Sequence, residues 1–209
     1  LRSFLEPAAL AAFMDRQVPP EARRLVDVAF SGNGEPTSAA EFAAAVEVVG
    51  QVLAELELPA DLKLRLITNG SLLHRPAVQT GIAALGGRGG EVWFKLDRGT
   101  AAGMLAVNKT IMEPAKVLAN LLVCASLAPT WVQTCWFASD GQGPGEEEEE
   151  AYLALLAQAS AVLGGVHLYG LARPSCQPEA GRLAALPDRA LEALAEKITG
   201  LGLRVVVSA

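Results

Sequence analysis

The sequence predicts an α/β fold built on a parallel sheet, and two observations carry that prediction. Short apolar runs alternate strictly with stretches of helical periodicity along the 209 residues. Polar, often glycine-bearing segments follow the strand-like runs one after another. Strands joined by helix-length crossovers pair in parallel, with right-handed connections. An open doubly wound sheet and a complete or partial barrel both satisfy the pattern. In either, ligands collect at the carboxyl ends of the strands.

Leu5 to Arg16 is expected to be helical, with Pro7 in the first turn and Leu10, Phe13 and Met14 on one side. Pro19-Pro20 ends it, and Leu25 to Phe30 forms the first strand. The turn Ser31-Gly32-Asn33-Gly34-Glu35-Pro36-Thr37 follows. Glycine lets backbone approach a ligand closely, and proline fixes the exit of the chain. Ser38 with Glu41 reads as a capping box for a helix carrying Phe42, Val46, Val49 and Leu53.

Leu62 to Thr68 is the second strand, ending in Asn69-Gly70-Ser71, and a helix spans about Pro76 to Leu85. The third strand, Glu91 to Leu96, ends in Asp97-Arg98-Gly99. A short helical piece from Ala101 to Val107 precedes a longer helix opened by Glu113-Pro114. Thr130 to Ala138 is the fourth strand, with Ser139 to Gly145 as its exit loop. The acidic run Glu146 to Glu150 suits the first turn of a helix, where carboxylates favour the macrodipole and stay solvated. Gly165 to Leu171 is the fifth strand, and Arg173-Pro174 starts a long loop. Asp188 caps a helix ending at Gly200, and Leu203 to Val207 is the last strand.

Composition fits one globular domain over residues 1–209, with 51% hydrophobic and 19% charged residues. No apolar run reaches the ~18–20 residues of a membrane span, and no signal-peptide pattern opens the chain. No membrane partner is therefore expected, and the chain reads as cytoplasmic. It starts at Leu1 inside a helix-like segment, so it is expected to be a piece of something longer. A net charge of −6 and a pI near 5.0 disfavour nucleic acid, because phosphate contacts need a basic patch. Cys124, Cys135 and Cys176 form no CxxC pair, so no metal-ligand motif is read in the chain. Cys124 and Cys135 read as small buried hydrophobes.

The unusual residues gather at the strand ends: Gly32 to Pro36, Thr68-Asn69, Lys95 to Asp97, Gln133-Thr134 and Tyr169 to Arg173. Together they make one continuous ligand-binding rim. Alternation places Trp93, Lys95 and Asp97 on one face of their strand, Trp131, Gln133 and Cys135 on another, and His167 with Tyr169 on a third. A closed barrel fills its interior with branched apolar side chains. Polar and aromatic groups there imply an interior wide enough for a ligand.

Ser31 to Thr37, Thr68-Asn69-Gly70, Lys95-Leu96-Asp97 and Tyr169 to Pro174, in that order, resemble the radical S-adenosylmethionine (radical SAM) superfamily. The similarity is strongest to its Fe–S oxidoreductase branch related to wyosine-base synthases of tRNA, and runs from about Leu25 to Pro174. It implies a partial (β/α)6 TIM-like barrel of parallel strands, here lacking its first strand and cluster loop. It also implies a 4Fe–4S cluster that reduces S-adenosylmethionine to a 5′-deoxyadenosyl radical, which abstracts hydrogen from substrate. By the resemblance, Gly32, Asn33, Gly34, Glu35 and Pro36 meet the methionine amino group. Thr68, Asn69, Lys95 and Asp97 lie near the ribose and carboxylate, and Gln133, Tyr169 and Leu171 line the adenine and substrate side. The family's CxxxCxxC motif is absent, so this chain supplies no metal ligands and is expected to be inactive alone, its parent being the enzyme. Implied partners are a flavodoxin or ferredoxin donor and a small-molecule, peptide or tRNA substrate. The alternative is a non-catalytic binding or regulatory domain on the same barrel.

Overall fold

The computed structural model describes residues 1–32, 34–56, 58–59, 61–171 and 178–208. Its helices are α1 (Arg2–Leu5), α2 (Pro7–Gln17), α3 (Phe42–Glu55), α4 (Pro76–Gly87), α5 (Ala101–Asn108), α6 (Pro114–Leu127), α7 (Glu146–Ala159) and α8 (Asp188–Gly200). Its strands are β1 (Asp27–Phe30), β2 (Lys63–Thr68), β3 (Glu91–Lys95), β4 (Thr130–Cys135), β5 (Phe137–Ser139), β6 (Gly165–Tyr169), β7 (Leu183–Ala185) and β8 (Val205–Ser208).

Six strands form one parallel sheet in the order β1-β2-β3-β4-β6-β8, and β5 pairs with β7 as a separate antiparallel ribbon. Because neighbours in the sheet follow chain order, right-handed crossovers lay the helices on a single face. That face is the core: Leu64 and Leu66, Val92 and Phe94, Val132, and Val166 and Leu168 are buried against Val46, Ile82, Leu121, Leu156, Leu191 and Ile198 of the helices. The opposite residues, among them Arg65, Trp93, Gln133 and His167, are only half-buried.

The helix-free face is concave. His167 on β6 lies two strands from Trp93 on β3, a separation of ~9.5 Å in a flat sheet, yet their rings are 4.2 Å apart. Side chains converge in this way only on the inside of a curve. The result is an open, partial barrel whose β1 and β8 do not pair with each other.

Three local expectations are corrected. Ser38 does not cap α3: residues Pro36–Ser38 form a 3₁₀ turn whose first turn is capped by the Glu35 carboxylate, and α3 starts later, behind Glu41. Asp188 is the first residue of α8 rather than its cap, which is Pro187. The fourth strand stops at Cys135 instead of reaching Ala138. Beyond Trp136, whose N–H still donates to the Tyr169 carbonyl (2.9 Å), the chain leaves the sheet and pairs with Leu183–Ala185. That partner is remote in sequence, so the local pattern does not reveal the switch.

Gly70 sits where β2 turns into its exit loop, at φ +68°, and an added Cβ would overlap the Phe94 ring in the core. A left-handed backbone costs a non-glycine residue ~1–2 kcal/mol and overpacking adds ~1–3 kcal/mol. Gly70→Ala is therefore expected to destabilise the fold by about 2–4 kcal/mol in urea unfolding. An unchanged midpoint would contradict this packing.

Candidate functional site

The first corner of the rim is built on Glu35. Its Oε1 accepts from the Thr37 N–H (3.2 Å), the Thr37 hydroxyl (2.6 Å) and the Thr68 hydroxyl (2.6 Å), and its Oε2 accepts from the Asn69 N–H (2.8 Å). One carboxylate thus ties the loop after β1 to the end of β2. The Thr68 oxygen in turn accepts from the Gly70 N–H (3.0 Å), and Asn120 of α6 donates to the Gly70 carbonyl (3.0 Å). Two carboxylate oxygens offer about four acceptor positions. Oε1 is crowded, while Oε2 carries a single donor among the described residues; Gly32 and Gly34, in the loop that leads into Glu35, are both exposed. Asn33 lies outside the described residues.

The second corner joins β3 to β4. Buried Asp97 accepts from the Cys135 N–H (2.7 Å), and loss of hydration raises its pKa above the usual carboxylate value. Arg98 donates to the carbonyls of Asp97 (2.6 Å), Cys135 (3.2 Å) and Phe137 (3.2 Å) and lies over the Trp136 and Phe137 rings. Burial lowers its pKa, and Asp97 opposes that. Glu148, from the acidic run, is not solvated as the pattern implied. It accepts from the Gly99 and Thr100 amides and the Thr100 hydroxyl, anchoring the start of α5 to α7.

Between the corners lies the concave face. Arg65 pairs with Asp27 and Glu91 at its base and stacks on Trp93, while Arg204 lies over Trp131. His167 fits between the two indoles, with centroids 4.2 Å from Trp93 and 4.7 Å from Trp131. The sequence Arg65–Trp93–His167–Trp131–Arg204 therefore closes the floor. Burial is the main reason the His167 pKa falls, and Arg65 and Arg204 add to it against the pull of Glu91. One row further along, the sheet register aligns Lys95, Gln133 and His167 on neighbouring strands, and the next aligns Cys135 with Tyr169. Among the described residues, the side chains of Lys95 and Gln133 have no hydrogen-bond or ion-pair partner.

The residues expected at the site thus fall into three sets. Gly32, Gly34, Glu35, Pro36, Thr68 and Asn69 meet at one corner, with Glu35 bracing it. Lys95, Gln133 and Tyr169 stand on the concave face. Asp97 is buried as a brace, and Leu171 borders a different cleft of about 550 Å³ lined by Arg98, Glu148 and Arg182. A second cleft, of about 510 Å³, adjoins Asn69 and Ser71 beside α6. Sequence reasoning put His167 and the two tryptophans on the ligand face without assigning them a role, and it missed Arg98 and Glu148. The only local signal for Arg98 was a charged residue directly after a strand.

Cys124 is buried on the helix side near Thr130, and Cys135 half-buried on the concave side; desolvation raises both thiol pKa values to about 11. Cys176 lies outside the described residues. Among the described residues no three His, Cys, Asp or Glu side chains are grouped to hold a metal ion. No described helix is long and apolar enough to cross a membrane.

No protein-family profile matches the sequence, and no curated protein matches it. Solved structures do share the fold. A domain of pyruvate-formate lyase-activating enzyme from Bacteroides vulgatus is 12% identical with a TM-score of 0.62, covering 87% of this chain and 98% of that one. A radical SAM methyltransferase from Sphaerobacter thermophilus is 13% identical with a TM-score of 0.61, covering 96% of this chain. The chain spans about half of that protein (54%). At these identities the likeness is one of fold.

Two measurements check the site's physical construction. Glu35→Ala removes the shared acceptor of both loops and is expected to cost about 2 kcal/mol in urea unfolding, the scale of hydrogen bonds to a charged group. A loss within error of zero would contradict the brace. Because the folded pKa of His167 is lowered, the unfolded chain binds the proton more readily. Stability is then expected to fall as pH drops through ~6.5, and His167→Phe should flatten that slope. An identical slope in the variant would contradict the assignment.

Proposed function

We propose that this chain is the core of a radical SAM-type enzyme and that the Glu35 corner seats the amino-acid end of S-adenosylmethionine. One observation carries the reading: a carboxylate that holds the rim together keeps an acceptor position on Oε2 beside an exposed glycine loop. The residues fit a zwitterion. An ammonium requires acceptors, which Glu35 and the loop carbonyls provide, and Asn69 offers an amide donor to the carboxylate. Thr68 acts through Glu35, setting its rotamer. Tyr169 stands on the concave side, toward which the nucleoside would extend.

With an iron–sulfur cluster, S-adenosylmethionine supplies a carbon radical that takes hydrogen from a substrate. The described residues do not fit such a cluster, since Cys124 and Cys135 lie on opposite faces of the sheet. The same observation favours a second reading, a non-catalytic domain that binds S-adenosylmethionine or a related nucleoside on this scaffold.

Calorimetric titration separates these readings. S-adenosylmethionine is expected to bind the chain at least tenfold more tightly than 5′-methylthioadenosine, which lacks the amino-acid end. Equal binding, or none, would overturn the placement. After anaerobic incubation of the full gene product with iron and sulfide, reductive cleavage of S-adenosylmethionine supports the enzyme, and its absence the binding domain.

A further inference from the structure

The concave face holds polar groups that the fold does not use. Lys95 is exposed, and its side chain has no hydrogen-bond or ion-pair partner among the described residues. The side-chain amide of Gln133, its register neighbour on β4, is likewise unpaired among the described residues, and the ring nitrogens of His167, next in the row on β6, bond to no described residue. Three donors thus stand in one row on three adjacent strands, aligned by the register of the parallel sheet.

The charges around the row have a definite balance. Arg65 is occupied by Asp27 and Glu91 at the base. Asp97 is buried behind the row, accepts from the Cys135 amide, and feels the charges of Lys95 and then Arg98. Lys95 and Arg204 remain as cations without an ion-pair partner among the described residues, in a chain whose net charge is −6. The faces of Trp93 and Trp131 are already covered by Arg65, Arg204 and His167. A ligand reaching this row therefore meets donors and a cation, and no open aromatic face. Lys95 acts on buried Asp97 through space only and makes no direct ion pair with it, which leaves its ammonium donors open.

We propose that Lys95, Gln133 and His167 form a recognition site for the anionic group, a carboxylate or a phosphate, of a small substrate. The site deepens, and rests on, the reading of the Glu35 corner as the cofactor side, and it moves Lys95 from the cofactor's carboxylate to the substrate's. Lys95 supplies the charge, while the Gln133 amide and a His167 ring N–H supply directed hydrogen bonds. The stack of indoles and guanidiniums beneath holds the imidazole in one orientation. A polyanion such as tRNA is disfavoured, because it requires a broad basic surface.

The test uses the imidazole itself as a reporter. The chain has two histidines, His74 and His167, so both ring resonances can be followed by NMR. Inorganic phosphate and benzoate are titrated separately at constant ionic strength set with chloride, which tells a phosphate site from a carboxylate site. The expected result is a saturable shift of His167 with one of the two, little change at His74, and at least tenfold weaker binding in Lys95→Met. Lys95 is exposed, so that variant keeps the fold. Linear or equal shifts at both histidines, or unchanged binding in the variant, would overturn the proposal. S-adenosylmethionine is titrated in parallel. If Lys95→Met loses it as well, Lys95 belongs to the cofactor and this inference fails while the cofactor reading stands. If wild type fails to bind it yet passes the anion test, the cofactor reading fails and the anion site stands.

Discussion

Glu35 accepts four hydrogen bonds from Thr37, Thr68 and Asn69, and the arrangement of the rim follows from that. A parallel sheet ends in loops whose backbone amides have lost their ladder partners, and such amides must be satisfied. Here carboxylates satisfy them across loops. Glu35 takes the Asn69 amide, Asp97 the Cys135 amide, and Glu148 those of Gly99 and Thr100. Each bond joins segments far apart in sequence, so successive strand ends are fixed relative to one another. A binding edge made of loops thereby gains the rigidity of the sheet beneath it.

The two faces of the sheet divide the work. On the helix side, apolar burial from Val46 to Ile198 supplies the driving force of folding. On the concave side, the Arg65–Trp93–His167–Trp131–Arg204 stack runs across the floor of the partial barrel. Gly165 allows this packing, because a side chain there would collide with Trp131 and Arg204. His167 belongs both to this stack and, by sheet register, to the row of Lys95 and Gln133 on the same face.

Much of this was legible in the sequence. Alternation along Glu91 to Leu96 sorted Val92 and Phe94 from Trp93 and Lys95, and the structure keeps that division. The positions of the main strands came from the strict alternation of runs, which local periodicity reports well, while their sequential order in the sheet did not, since a doubly wound sheet fits the same alternation. What escaped were bonds between distant residues. Nothing near Glu148 announces Gly99, and nothing near Phe137 announces Ala185. Ser38 and Glu41 fit the four-residue capping pattern in sequence. Pro36 and the Glu35 carboxylate instead form a 3₁₀ turn there and delay the helix. Asp97 shows the limit most plainly. A carboxylate at a strand end looks the same in sequence whether it greets a ligand or braces its neighbour's backbone.

The most direct test of the account is a crystal structure of this chain grown with S-adenosylmethionine. The account predicts the ligand's amino nitrogen within hydrogen-bonding distance of Glu35 Oε2 and the loop of Gly32 and Gly34, with the nucleoside directed over the concave face toward Tyr169. Ligand seated instead in the cleft beside Arg98 and Arg182, with the Glu35 corner bare, would contradict it.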